Sequence, residues 1–442
     1  MMTIAACLWL GLFPLLQGGT YARITHDKWI CMLVLCAATL CLFLADRLLR
    51  RSPSPGGVPA GRTAIPRAPR LPLFFGAALL VLSVLSCLLG GFEARDWWLG
   101  ASMRQEGLLT QLCYLGLFFL FAFSRVRLRP VLFSAAACVS VFFVLVLLQR
   151  AGGNPLGLYP AGRSYLLNPE FQGTIGNVDM GTGWLCMLAG LFGYGGLDAW
   201  HSCRSASAGR RDPRPRIPLL TLIACGIGLA LSVFLIITMD VQFGMISLAV
   251  LLGVTVLRFL PKRWRLPLFI LAVVLVLAAV WFWPGTGGGI WELHEILHGR
   301  ARLSFGSNRV AVWYYSVPLA KQNLLLGGGS DTFVLRFNRH LQQEGLRIPT
   351  EQDGLPLPDY FDTPHNDYLA QWLNHGLPAM LAFIALLCLA VWKKRAGLLP
   401  LLTPFSAAVL CYAVQAFFSF SVCIVAPVFW VILGASRKEP EL

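Results

Sequence analysis

Charge is scarce in this sequence, and acidic charge is scarcest. Only 13% of the 442 residues are charged, and Asp and Glu number 21 against 36 Lys and Arg. Hydrophobic residues make up 57%. Apolar runs of about 20 residues result, long enough to cross a hydrocarbon core of roughly 30 Å, and no soluble domain needs so many of them. Cysteine occurs in no metal-binding pattern. None of the 13 cysteines belongs to a Cys-x-x-Cys pair, and Cys31, Cys36 and Cys41 are too widely spaced for a zinc knuckle. All but Cys203 lie in or beside apolar runs, none lies between Pro284 and Asn374, and they read as small buried hydrophobes. No internal repeat of fixed period occurs. The first apolar stretch, Ile4 to Leu16, lacks a basic segment ahead of it and reads as a first span rather than a signal peptide.

The net charge of +15 does not mark a nucleic-acid surface, because the basic residues lie in short segments between apolar runs rather than in a stripe. The reading is an all-α polytopic membrane protein with about 12 spans, near residues 4–18, 29–45, 71–91, 107–123, 131–149, 175–197, 217–238, 241–260, 266–284, 375–392, 397–416 and 418–435. Every second loop is basic. These loops carry six arginines from Asp46 to Arg70; Arg125, Arg127 and Arg129; Arg204, Arg210, Arg211, Arg214 and Arg216; Arg258, Lys262, Arg263 and Arg265; and Lys393, Lys394 and Arg395. By the positive-inside rule both termini are cytoplasmic. Three parts follow: residues 1–284 with nine spans, 285–374 as one large outer loop, mainly helical, and 375–442 with three spans and a short tail. The loop holds nine of the 21 acidic residues and four of the seven histidines, and function concentrates in such insertions.

Within that loop, Thr363-Pro364-His365-Asn366-Asp367-Tyr368-Leu369 has the signals of a helix start, with Thr363 as N-cap, Pro364 at the first position and His365 in the first turn. There the helix dipole would keep the imidazole neutral and available as a base, although a capping or surface histidine fits the same residues. Arg309 opens a second helix with an apolar stripe at Val310, Trp313, Tyr314 and Val317, and its planar fork suits pyrophosphate. Between them, Leu326-Gly327-Gly328-Gly329-Ser330-Asp331-Thr332-Phe333 lacks the Lys-Ser/Thr of a P-loop and reads as a turn.

Arg309 with Trp313, then LLLGGGSDTF, then PHNDYLAQWLNHGLPA running into a span, resembles the C-terminal signature of the O-antigen ligase and polymerase superfamily. Arg104-Gln105-Glu106-Gly107-Leu108 and Gly173-Thr174-Ile175-Gly176-Asn177 resemble it as well. The resemblance implies an inverting glycosyltransferase of the bacterial inner membrane that needs no metal or cofactor. Its donor would be an undecaprenyl-diphosphate-linked glycan, and its acceptor a hydroxyl of a glycan, lipid or protein. It also implies His365 as general base and Arg309 as a diphosphate or acceptor ligand, with Asn366, Asp367 and Asn177 near the substrate. In one respect the chain departs from the family. A Ser-Arg pair is usual at the start of the eighth span, where this chain has Met239-Asp240-Val241-Gln242. Arg104, Arg163, Arg300 or Arg302 would then supply the missing charge, with Asp240 as a boundary carboxylate, and ligase and polymerase both stay open.

Two other classes compete. His294-Glu295-Ile296-Leu297-His298 matches HExxH, which on a helix offers two zinc ligands and a general-base glutamate, the basis of a membrane metallopeptidase. A non-enzymatic transporter of lipid-linked glycan would need paired ionisable groups inside its spans, where Asp179 and Asp240 are few.

Overall fold

The computed structural model describes residues 1–49, 70–207, 216–346, 351–352, 355–356, 361–392 and 402–437. Most of the arginine-rich segment at 46–70, Arg210, Arg211 and Arg214, and Lys393, Lys394 and Arg395 lie outside the described residues.

Helices dominate. The first half runs through α1 (Met2–Cys7), α2 (Ile24–Leu49), α3 (Arg70–Leu89), the short α4 (Ala94–Leu99), α5 (Leu108–Ala122), α6 (Leu128–Arg150), α7 (Val178–Ser207), α8 (Arg216–Thr238), α9 (Gln242–Phe259) and α10 (Lys262–Trp281). Then come α11 (Gly288–Leu297), α12 (Arg309–Gln322), α13 (Phe333–Gln343), α14 (Asp367–His375), α15 (Leu377–Val391), α16 (Pro404–Gln415) and α17 (Ala426–Ala435). Among the described residues sheet is confined to two antiparallel two-residue ladders. Phe171–Gln172 pairs with Gly176–Asn177, and Glu351–Gln352 pairs with Leu355–Pro356.

Among the described residues six helices are long and apolar enough to cross a membrane, by length and composition: Tyr21–Leu49, Arg70–Leu89, Leu128–Arg150, Ile217–Thr238, Gln242–Phe259 and Lys262–Trp281. Five more apolar helices are shorter, at Met2–Leu15, Leu108–Ala122, Leu377–Val391, Pro404–Gln415 and Ala426–Ala435. The sixth expected span is the 30-residue α7, which packs closely on α8 and α16. Small residues permit that approach: a Cβ on Gly190 would run into the backbone of Ala407.

The N-terminal segment is part of the core, with Trp9, Leu10 and Phe13 fully buried. Its helix loosens into π and 3-10 turns, and the buried Lys28 ammonium donates to the carbonyls of Phe13 and Pro14 at 2.9 and 2.8 Å. A second, smaller core sits in the hydrophilic segment. Ala311, Val312, Leu319 and Ala320 of α12 meet Phe333 and Phe337 of α13 and Leu373 of α14. The expected stripe on α12 is therefore rotated. Tyr314 is 68% exposed, while Ala311, Val312, Ser316 and Leu319 face inward, because α12 packs on α13 and α14.

Candidate functional site

The Gly-rich segment is a turn that holds the end of α14. Gly327 has a φ of 64°, and a Cβ there would strike the Asn374–His375 backbone. The Gly328 and Gly329 amides donate to the carbonyls of Leu373 (3.1 Å) and Asn374 (2.9 Å), and Arg336 donates to the Leu373 carbonyl at 2.7 Å. Ser330 Oγ pairs with His375 Nε2 at 2.9 Å, and Ser86 of α3 bonds the Asn374 carbonyl. These amides are used within the protein.

α14 starts later than its sequence signals suggest. Asn366, not Thr363, is the N-cap, its side-chain oxygen accepting from the Leu369 amide at 2.9 Å. His365 therefore precedes the helix, at a φ of 49°. Two anchors fix it. Trp313 Nε1 donates to the Pro364 carbonyl (2.8 Å), and the Asp367 amide donates to the Ala416 carbonyl (2.8 Å). Asp367 is buried, and its carboxylate accepts from Tyr412 Oη (2.5 Å), the Ser421 amide (2.6 Å) and Ser421 Oγ (2.9 Å). Burial pushes that carboxyl up to about 6. The Asn366 side-chain oxygen and the Asp367 carboxylate, both expected near the substrate, are hydrogen-bonded within the protein.

Around His365 the chain gathers distant residues. Its ring meets Phe420 edge-on, centroids 4.8 Å apart, and the Arg104 guanidinium carbon stands 4.1 Å from the same Phe420 centroid. Arg104 is also held in a fork by Asp362, Nε to Oδ2 at 2.7 Å and Nη2 to Oδ1 at 3.1 Å. Arg309 sits at the start of α12 with Nη1 donating to the Gly306 carbonyl at 3.0 Å, Nη2 at 3.6 Å from Asp179 Oδ2, and its guanidinium carbon 5.7 Å from the Phe243 ring centroid. Asn177 caps the start of α7, accepting from the Asp179 amide at 2.9 Å, and so fixes the carboxylate that Arg309 faces.

The electrostatics follow from this crowding. Burial, then the positive fields of Arg309 and Arg104, lowers the His365 pKa to about 3. The imidazole is neutral, as expected, but the helix dipole is not the cause, since His365 lies outside the helix. Among the described residues two buried atoms here have no hydrogen-bond partner, His365 Nδ1 and Arg309 Nε. A neutral imidazole with a free nitrogen beside two guanidinium groups can take a proton next to a bound anion.

The other expected arginines have different surroundings. Arg300 is forked onto Glu295 (Nε at 2.8 Å, Nη2 at 2.6 Å), Arg302 rests over Trp291 at 5.8 Å, and Arg163 is exposed in a turn. Asp240 is exposed with a φ of 53°. In the HExxH segment, α11 ends at Leu297 and His298 is its C-cap. His294 Nδ1 lies 3.0 Å from the Val280 carbonyl, His298 Nδ1 lies 2.8 Å from the His294 carbonyl, and Glu295 is taken by Arg300. Among the described residues no group of three or more His, Cys, Asp or Glu is placed to hold a metal ion.

Asp179, Asp362 and Phe420 escape sequence reasoning as site residues. Asp362 pairs with a residue 258 positions away, and Phe420 sits in an apolar stretch where a ring carries no chemical signal.

No curated protein matches the chain. Residues 227–384 match the family model described as O-antigen ligase, a range that includes Arg309, the Gly-rich turn and His365. About a third of the chain is thus similar to an O-antigen ligase domain, and among the described residues six helices are long and apolar enough to cross a membrane.

Proposed function

We propose that the protein is an inverting, metal-independent glycosyltransferase that moves or polymerises glycan from an undecaprenyl-diphosphate-linked donor onto an acceptor hydroxyl. The observation that carries this reading is the neutral His365 imidazole, its Nδ1 unpartnered, within the fields of Arg104 and Arg309. About 12 spans, counting the shorter apolar helices and α7, enclose the site, with both termini on the cytoplasmic side and residues 285–374 on the outer face of the inner membrane.

Arg309 and Arg104 hold the donor diphosphate and stabilise the charge it gains. His365 takes the proton from the acceptor hydroxyl, whose oxygen forms the new bond to the anomeric carbon. The bond from that carbon to the diphosphate oxygen breaks, and undecaprenyl diphosphate leaves with the electron pair. Because the diphosphate is already a good leaving group, no acid is required. Of the four candidate arginines, Arg104 is the one whose contacts lead to His365, through Phe420, so it takes the place of the arginine lacking beside Asp240. Asn366, Asp367 and Trp313 position the His365 segment, and Asn177 positions Asp179.

The test is reconstitution in liposomes with an undecaprenyl-diphosphate-linked oligosaccharide and a candidate acceptor. Formation of a longer or transferred glycan, with release of undecaprenyl diphosphate, is expected. A lack of transfer to every hydroxyl class supplied (glycan, lipid and protein) would overturn the reading.

A further inference from the structure

Arg104 lies in a strained loop that is fastened from outside. Between α4 and α5 the chain turns through Gly100 at a φ of 112° and Gln105 at 56°, the latter a left-handed state that most side chains avoid. The fastening is Asp331, buried and 229 positions from its partner Ser102. Ser102 donates to the Asp331 carboxylate through its amide (3.1 Å to Oδ2) and through Oγ (2.7 Å to each oxygen). The same Oγ accepts from the Arg104 amide at 3.1 Å. Gly100 permits the approach, since a Cβ there would strike Asp331 Oδ2.

Asp331 is itself firmly mounted. It closes the Gly-rich turn at a φ of 57°, and that turn is pinned to α3. The Gly329 amide donates to Ser86 Oγ at 2.9 Å, the Ser330 amide to Cys87 Sγ at 3.3 Å, and a Cβ on Gly90 would run into the Gly328 carbonyl. Because the turn also grips the end of α14, it fixes both the helix that follows His365 and the loop of Arg104. Burial raises the Asp331 carboxyl to about 6 and the bonds from Ser102 oppose the rise, so it is ionised at neutral pH. A carboxylate buried this far is costly unless it is hydrogen-bonded, and what it bonds is the Arg104 loop.

We infer that Asp331 is the positioning residue for Arg104. The inference rests on the proposed function, in which Arg104 holds the donor diphosphate. Arg104 is gripped at both ends: Asp362 takes the guanidinium in a fork, and Asp331 holds the main chain beneath it through Ser102. A diphosphate that draws on the guanidinium competes with the Asp362 fork, whereas the bonds from Ser102 to Asp331 involve no part of the guanidinium and persist. The loop is therefore ordered before the donor arrives, and little of the binding energy goes into ordering it.

Asp331→Asn keeps the size of the side chain and tolerates the positive φ, but removes the charge that strengthens the bonds from Ser102. Ser102→Ala, the second variant, removes the hydroxyl link from the other side. Hydrogen exchange read by mass spectrometry reports on the loop without any substrate. In both variants residues 101–106 should exchange about tenfold faster than in wild type, with residues 367–375 unchanged. In transfer by reconstituted protein, the donor KM should rise about tenfold while the acceptor KM stays within about twofold of wild type. In an Arg104→Gln background the Asp331→Asn loss should largely vanish. Unchanged exchange in the loop, a fall in kcat with both KM values kept, or losses that multiply independently would overturn the assignment. Wild-type protein that transfers nothing, while the loop loosens in the variants as expected, would contradict the proposed function and leave the Asp331 anchor standing.

Discussion

Phe420→Leu separates positioning of the site from mere packing. One face of the ring carries the Arg104 guanidinium at 4.1 Å, and the His365 ring meets it edge-on at 4.8 Å. Leucine keeps most of the apolar bulk of this largely buried residue but removes the π face. A desolvating cation–π contact is worth about 0.5–2 kcal/mol and an aromatic edge contact about 0.5–1.5 kcal/mol. Losing both removes on the order of 1–3 kcal/mol of orientation from the groups assigned to diphosphate and proton. At about 1.4 kcal/mol per decade, kcat/KM should fall roughly 5- to 150-fold. The volume-conserving swap itself should cost under about 1.5 kcal/mol of stability. The assay is transfer from a lipid-linked oligosaccharide by purified protein, repeated in an Arg104→Gln background. If Phe420 acts through Arg104, its loss should shrink in that background, because the cation it orients is already gone. Activity within about twofold of wild type, or losses that simply add, would refute the reasoning.

Arg309→Lys should lose most activity, because a compact ammonium cannot reproduce a planar two-point contact to a diphosphate; full activity would reduce Arg309 to its contacts with Asp179 and Gly306. Since the His365 pKa is lowered to about 3, the ring stays neutral throughout the range above that value; histidine NMR, compared with His365→Gln, should show no His365 titration between pH 5 and 8, and a midpoint near 6.5 would contradict the buried, doubly cationic setting. Transfer should survive both EDTA and Glu295→Gln, because Glu295 serves Arg300 on α11; zinc bound stoichiometrically through His294 and His298, with chelator-sensitive peptide cleavage, would overturn the glycosyltransferase reading.

Much of the architecture was legible from hydropathy, because uninterrupted apolar runs allow few alternatives in a bilayer. Among the described residues six of the expected spans appear as long apolar helices, 418–435 shortens to Ala426–Ala435, and the described part of 397–416 holds Pro404–Gln415. His365 and Arg309 stand out in the sequence as polar residues beside a glycine turn and a helix start, and the structure places Arg309 close enough for its charge to act on His365. Their surroundings were not legible in the sequence. Thr363 and Asn366 are both good caps by composition, and the choice falls to tertiary contacts: Trp313 holds Pro364, and Ala416 takes the Asp367 amide. Arg104 was one of four candidate arginines, set apart in sequence by the family-like stretch it opens. Folding across 258 positions onto Asp362, and onto Phe420, is what links it to His365. The stripe on α12 was misjudged because its neighbours, α13 and α14, choose which face is buried.

The account depends most on His365 as the proton acceptor. The direct measurement is transfer from an undecaprenyl-diphosphate-linked oligosaccharide by purified, liposome-reconstituted His365→Ala, checked for folding by thermal melting. The substitution removes a base but little buried apolar surface, so a folded protein is expected with transfer reduced by about 100-fold or more, and His365→Gln should be nearly as inactive. Wild-type transfer by folded His365→Ala would contradict the account.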